Sequence, residues 1–331
     1  MLIMVRIAVL GAINWDINLF VERFPKIGEE VPVEKITRVP GGKGGNVAVA
    51  AARLLGPGEV AFIGCLGNDP IAEKQIIILK KEGVDVSGIK FSDEIESGQA
   101  YILIDKEGRN FINTFFGANL HLLPEDLEKP KVSDLLMEAK IITLIDPIIE
   151  TLEAAASLAK MHRKTVIWDA GVRSRIGAKR LRNILENVDY LLVNEVEVKN
   201  ITGETNPFRA WQILCEINQN IKLIVKLGDR GCFMAGLDII ASVPPVDLEK
   251  IGLKVVNTVG CGDAFLGAFA ASKAEGLNDM ESLERANLAG ALKATKHETR
   301  GSPHRKEMER YMKYIAKARI VRKMYSPRKL V

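Results

Sequence analysis

The sequence predicts an α/β fold: a doubly wound, mostly parallel sheet with helices on both faces, joined by a small β lid. Three observations carry that expectation. Short apolar runs alternate with segments of helical period along nearly the whole chain, the order that builds parallel sheets. The runs are rich in Val, Ile and Leu and show no polar alternation, as strands buried on both faces require. Each run also ends at a small or polar residue: Gly11, Gly64, Asp146, Asp169, Asn194 or Gly228. Open α/β sheets bind ligands beyond the carboxyl ends of their strands, so these residues mark one functional rim.

Taken in order, strands are expected at residues 6–10, 60–65, 141–145, 165–168, 190–193 and 223–226. Helical period falls at 46–55, 71–81, 151–161, 175–185, 207–218, 263–275 and 280–296. Two places break the alternation. Residues 17–21 and 31–39 read as strands around the turn-rich FPKIGEE, and residues 99–115 read as a hairpin turning at 106–108. Neither pair has an adjacent crossover helix. They are expected to form a separate small sheet from insertions at about 15–40 and 97–117, a cover for the rim. The expected organisation is one catalytic domain over residues 1–331 with that lid and a basic tail at 313–331.

Composition narrows the classes. Of 331 residues 47% are hydrophobic and only 6% aromatic, which supports a large aliphatic core and excludes extended disorder. The net charge of +4 is mild. Much of it sits between Lys313 and Lys329, a stretch with seven Lys or Arg and no acid. It reads as a solvated terminus, so no nucleic-acid or membrane partner is expected. Cys65, Cys215, Cys232 and Cys261 form no CxxC pair or zinc spacing, and a reducing, cytoplasmic location is expected. The apolar start turns polar by Asn14 and reads as a first strand instead of a signal peptide.

Five motifs carry chemistry. In NTVGCGDAFLGAF (257–269) a glycine turn, Gly260-Cys261-Gly262, opens a helix. Free amides and the positive helix end there suit an anion, and Asp263 in the first turn can take a proton from a hydroxyl; an ordinary capped helix would look alike. VPGGKGGN (39–46) lacks the GxxxxGK[ST] spacing of a Walker loop. Its glycines, Gly42 among them, permit close backbone approach, Lys43 can donate to hydroxyls, and Asn46 opens a helix as N-cap or as ligand contact. GAINWDINL (11–19) places Asn14 and Asp16 after the first strand, for sugar hydroxyls or as a turn-stabilising Asx pair. The dinucleotide GxGxxG is missing there, which counts against a dehydrogenase. In LLVNEVEV (191–198) Asn194 and Glu197 start a helix and suit magnesium bound through water. KLGDRGCFM (226–234), with Gly228 and Gly231, suits a wall of a nucleotide site.

Together these motifs resemble the ribokinase-like, or PfkB, carbohydrate kinases, in the family's order and over nearly the whole chain. The resemblance implies Asp263 as catalytic base, with Gly260, Cys261 and Gly262 as the anion hole. Asn14, Asp16, Gly42, Lys43, Asn46 and Asp146 would bind sugar hydroxyls. Asn194, Gly228, Gly231 and Asn287 would face the nucleotide, and Glu197 a magnesium ion through water. It implies Mg2+ and ATP, or ADP, as cosubstrates and a homodimer joined through the lid. GGKGGN and Gly117–Asn119 look most like the family's ribokinase branch, which makes ribose, yielding ribose 5-phosphate, the first acceptor to expect.

Three departures keep other acceptors open. Asn257 stands where that branch has an Asp near a monovalent cation, leaving the ion requirement undecided. WDAGVRS (168–174) differs from the branch's turn, and Asp146 is one methylene shorter than the usual Glu. A nucleoside, another sugar or polyol, or ribose 1-phosphate (with Arg173 as the extra cation) are the alternatives. So is a non-catalytic sugar or nucleotide sensor on the same fold.

Overall fold

The computed structural model describes residues 4 to 322. Its strands are β1 (Ile7–Gly11), β2 (Asn14–Val21), β3 (Val33–Gly41), β4 (Val60–Gly67), β5 (Asp85–Ser92), β6 (Gln99–Ile104), β7 (Asn110–Phe115), β8 (Ile141–Ile145), β9 (Thr165–Asp169), β10 (Tyr190–Asn194), β11 (Lys222–Lys226), β12 (Cys232–Ala235), β13 (Ile240–Val243) and β14 (Arg319–Arg322). The α-helices are α1 (Lys43–Leu55), α2 (Pro70–Lys81), α3 (Pro130–Glu138), α4 (Ile149–Met161), α5 (Arg182–Leu185), α6 (Glu195–Thr202), α7 (Pro207–Ile217), α8 (Cys261–Ala274), α9 (Asp279–Ala294) and α10 (Arg305–Tyr311).

A ten-stranded sheet runs β14-β13-β12-β11-β10-β9-β8-β1-β4-β5. From β11 to β5 every pairing is parallel, while β12, β13 and β14 close one edge as antiparallel strands. Successive side chains of a strand point to opposite faces, and both faces here are apolar. Ala8, Leu10, Leu191 and Val193 pack into one core with α3, α4 and α7. Ile7, Val9, Tyr190 and Leu192 pack into the other with α1 and α8. That two-sided burial is why these strands lack polar alternation.

The second sheet, β3-β2-β6-β7, is built from the two insertions. β2 pairs antiparallel with β3 and parallel with β6. Its roots meet at Asn119, a buried side chain. The Asn119 Oδ1 accepts from the Ile13 amide at 2.8 Å, and its Nδ2 donates to the carbonyls of Ile13 and Phe116 and to Asn14 Oδ1.

Three expectations are corrected. The segment 175–185 is not one helix. A 3-10 turn at Gly171–Ile176 stops at Gly177, where φ is +82°, and only Arg182–Leu185 is α-helical. Asn46 does not open α1, which starts at Lys43 with Gly42 as N-cap. The basic tail is not free as far as Arg322, because β14 pairs with β13 along the sheet edge; the rest of the predicted tail, 323–331, lies outside the described residues. Among the described residues no helix is long and apolar enough to cross a membrane.

Candidate active site

The carboxyl ends of β8, β9, β10 and β11 deliver Asp146, Asp169, Asn194 and Lys226 to one rim. The N-termini of α1 and α8 meet there from the opposite layer. Asp263, in the first turn of α8, accepts a hydrogen bond from Asn46 Nδ2 at 2.8 Å. Asn46 is oriented in turn by Arg300, whose Nε donates to Asn46 Oδ1 at 3.0 Å. The remaining Arg300 donors reach the Gly41 carbonyl at 2.7 Å and Gln75 Oε1 at 3.3 Å. Gln75 itself holds the Asn14 carbonyl at 2.6 Å. The Asp263 carboxylate is thus fixed by a buried relay that also ties down the start of α1 and the root of the lid.

Lys43 sits among three carboxylates, 3.5 Å from Asp169, 3.9 Å from Asp146 and 3.9 Å from Glu197. Lys226 contacts Asp169 at 2.7 Å. Burial alone would push the Asp169 carboxyl up, but the Lys226 and Lys43 charges hold it below the usual carboxylate range. Burial would likewise depress Lys43, yet Asp169, Asp146 and Glu197 hold its ammonium above its ordinary value. Burial raises Asp146, Asp263 and Glu197, with Asp169 adding repulsion at each. Asp16 is pushed up to about 7, first by burial and then by Asp263, against the pull of Arg300. Its carboxylate lies against Gly41, where a Cβ would fall 2.2 Å from it. Asp146 adopts φ +58°, a costly conformation for a non-glycine residue of the kind that gathers at functional sites. Arg173, beside it, donates to the Pro147 carbonyl at 3.0 Å.

At the head of α8, Gly260 takes φ +86° as N-cap, and a Cβ there would meet the Thr299 carbonyl at 2.2 Å. The Cys261 amide donates to the Thr258 carbonyl at 3.2 Å. Among the described residues the Gly262 and Asp263 amides find no backbone acceptor, and they join the positive end of the helix. A Cβ on Gly262 would lie 3.4 Å from Lys226 Nζ, so that ammonium stands beside the free amides.

The nucleotide-side predictions lie farther round the rim. Asn194 and Glu197 form a reciprocal capping box for α6, both bonds being 2.8 Å. Gly228 opens a 3-10 turn after β11, and Gly231 closes it against β13, where a Cβ would fall 2.0 Å from the Val243 carbonyl. Asn287 donates to the Pro244 carbonyl at 2.8 Å. The structure therefore gathers Asn46, Asp263, Lys43, Asp146 and Glu197, while Gly228, Gly231 and Asn287 hold a separate wall. Sequence reasoning placed Asp169 on the rim and Lys226 at the start of the KLGDRGCFM motif without a chemical role for either, and passed over Arg300 and Gln75. Asp169 and Lys226 did carry a signal, each being a charge at the end of an apolar strand; Arg300 and Gln75 carried none.

A pfkB family carbohydrate kinase profile matches residues 4–306, and the chain belongs to that family. It is 32% identical over 275 residues to the bifunctional ribokinase/ribose-5-phosphate isomerase A of Fructilactobacillus sanfranciscensis, covering 81% of this chain and 48% of that protein. It is 31% identical to the solved ribokinase of Thermotoga maritima, with a TM-score of 0.82 over 93% of this chain and 99% of the other. To Arabidopsis thaliana ribokinase, solved with ribose and ATP, it is 28% identical, with a TM-score of 0.80 over 94% and 99%.

Proposed function

We propose that this carbohydrate kinase transfers a phosphoryl group from ATP to ribose, giving ribose 5-phosphate, with Asp263 as base. The observation that carries the reading is the position of Asp263, its carboxylate oriented by Asn46 beside the free Gly262 and Asp263 amides. A hydroxyl held there loses its proton to the Asp263 carboxylate as its oxygen attacks the terminal phosphorus. The leaving nucleotide takes the electrons of the broken P–O bond. The amides and Lys226 stabilise the charge that spreads over the transferring group. Asp16, Asn14, Lys43 and Asp146 orient the sugar, and the lid sheet excludes water when it covers the rim. The ribose and ATP in the Arabidopsis relative support both the acceptor and the donor.

The residues fit magnesium. Asp146, Asp169, Glu197 and Asp263 outnumber Lys43 and Lys226 on the rim. That negative surplus suits a hydrated cation carried by nucleotide phosphates. Among the described residues no group of three His, Cys, Asp or Glu side chains is placed to hold a metal, so Glu197, with Asn194, would hold the ion through its waters. When bound, it supplies neutralisation of phosphate charge.

The lid exposes Ile36, Tyr101, Phe111 and Phe115 on one face, and a second lid covering them is our reading of the dimer. The free cysteines support a reducing cytoplasm. The test is a coupled phosphorylation assay with ATP and ADP against ribose, fructose, nucleosides, myo-inositol and ribose 1-phosphate. Turnover on ribose at the highest kcat/KM is expected. A nucleoside, a polyol or ribose 1-phosphate ranking first would overturn ribose as acceptor.

A further inference from the structure

Lys293, on the last turn of α9, is fully buried. Its ammonium makes one hydrogen bond, to the Asn257 carbonyl at 2.8 Å, and no carboxylate lies within ion-pair distance of it among the described residues. A buried ammonium that lacks an ion-pair partner costs several kcal/mol, so its retention calls for a reason. The chain around it gives one. Asn257 begins the turn that ends at Gly260 and leads into the free amides of α8. That turn is fastened repeatedly to the end of α9: the Val256 and Asn257 amides donate to the Ala294 carbonyl, and Asn257 Nδ2 donates to the His297 carbonyl. The Lys293 Cε lies 3.3 Å from where a Cβ on Gly260 would stand, and the Thr299 carbonyl closes on the same point. The ammonium therefore fills a space behind the anion hole that it shares with backbone carbonyl oxygens. Burial pulls its pKa down, whereas Cys261 and Asp263, on the reacting side of the turn, pull it up.

We infer that Lys293 is a positioning residue of the phosphoryl-transfer site, a built-in cation that holds the Asn257–Gly260 turn and adds positive potential behind the α8 amides. The inference rests on the kinase reading above. It has a consequence for salt dependence: with the carbonyl-lined space filled by an ammonium of the chain, the enzyme needs no added monovalent cation.

The experiment compares the full-length protein with Lys293→Met and Lys293→Ala, assayed in choline, potassium and ammonium chlorides. Folding is checked by circular dichroism and thermal unfolding. Wild-type kcat is expected to be the same in all three salts. Lys293→Met is expected to lose about tenfold in kcat, an order below the loss on removing a direct oxyanion donor, with both substrate KM values nearly unchanged. Lys293→Ala is expected to recover part of its kcat in ammonium or potassium and none in choline. Binding of ADP with aluminium fluoride, read by calorimetry, should weaken in Lys293→Met without any turnover being needed. Unchanged kcat and unchanged binding in a folded Lys293→Met, or strong potassium activation of the wild type, would overturn the inference. Failure of the wild type to phosphorylate any acceptor while still binding ADP with aluminium fluoride would instead overturn the acceptor assignment and leave the role of Lys293 readable from binding.

Discussion

The two halves of the rim are built to different standards. On the acceptor side Asp263, Asn46, Arg300, Gln75 and Asn14 form a continuous, largely buried relay, and Lys43 is caged by three carboxylates. On the proposed nucleotide side the residues bond mainly to the backbone: Asn194 caps a helix with Glu197, which the two halves share, Asn287 holds Pro244, and Gly231 closes a turn. Val255, Val256 and Val259 remain exposed. A small polyol offers only hydroxyl geometry for recognition, so its half of the site must be rigid before it arrives. A nucleotide brings a large flat base and several charges, and an open wall of backbone and aliphatic surface suffices to receive it.

That contrast breaks first at Asp263. Asp263→Asn is expected to lower kcat by at least about 100-fold, the range for a positioned base, while nucleotide affinity measured by calorimetry stays near wild type. Near-normal turnover would dissolve the distinction between the halves. Asp16 gives the next effect. With its carboxyl pushed up to about 7, it is mostly charged, and so a strong acceptor for a sugar hydroxyl, only above that pH. Acceptor kcat/KM should therefore fall as pH drops through about 7, while the nucleotide KM stays flat. Asp16→Asn should lose that limb and about tenfold in acceptor kcat/KM, the lower range for a hydrogen bond to a charged group. An unchanged pH profile in the variant would remove Asp16 from sugar binding. The smallest change belongs to the other half. Asn287→Ala removes one bond to Pro244, worth about 1 kcal/mol, and should raise the nucleotide KM a few-fold with acceptor KM unmoved; an equal rise in both would mean that the wall and the relay are one unit.

How much of this was legible depended on where each constraint lay along the chain. The central strands were readable because burial on both faces leaves uninterrupted aliphatic runs such as the Ile-Ala-Val-Leu of β1. β5 was missed: of its residues only Gly88 and Ser92 are buried, so no apolar run appears. β13 and the edge strand β14 are four residues each, and β14 hides in a basic tail. The segment 175–185 has helical period, but Gly177 interrupts it through backbone conformation, which hydrophobic spacing does not record. In the site, Lys43, Asn46 and Asp263 stood inside glycine-marked motifs. Arg300 and Gln75 act through partners more than 200 residues apart in the chain, and no local pattern encodes such a pairing. Nothing local marks Lys293 either, because its burial comes from the turn at Asn257 that packs against the end of α9.

The Asn119 side chain joins the roots of both insertions through bonds to Ile13, Asn14 and Phe116. The lid is consequently fastened at both roots, by Asn119 and by the Gln75–Arg300 pair that holds Asn14 and Gly41. β3 and β7, at opposite edges of the small sheet, must swing as one plate, so spectroscopic labels on either edge would report the same angle and the same rate. A sugar held by Asp16 at one root, as we propose, would thereby be felt across the full width of the plate.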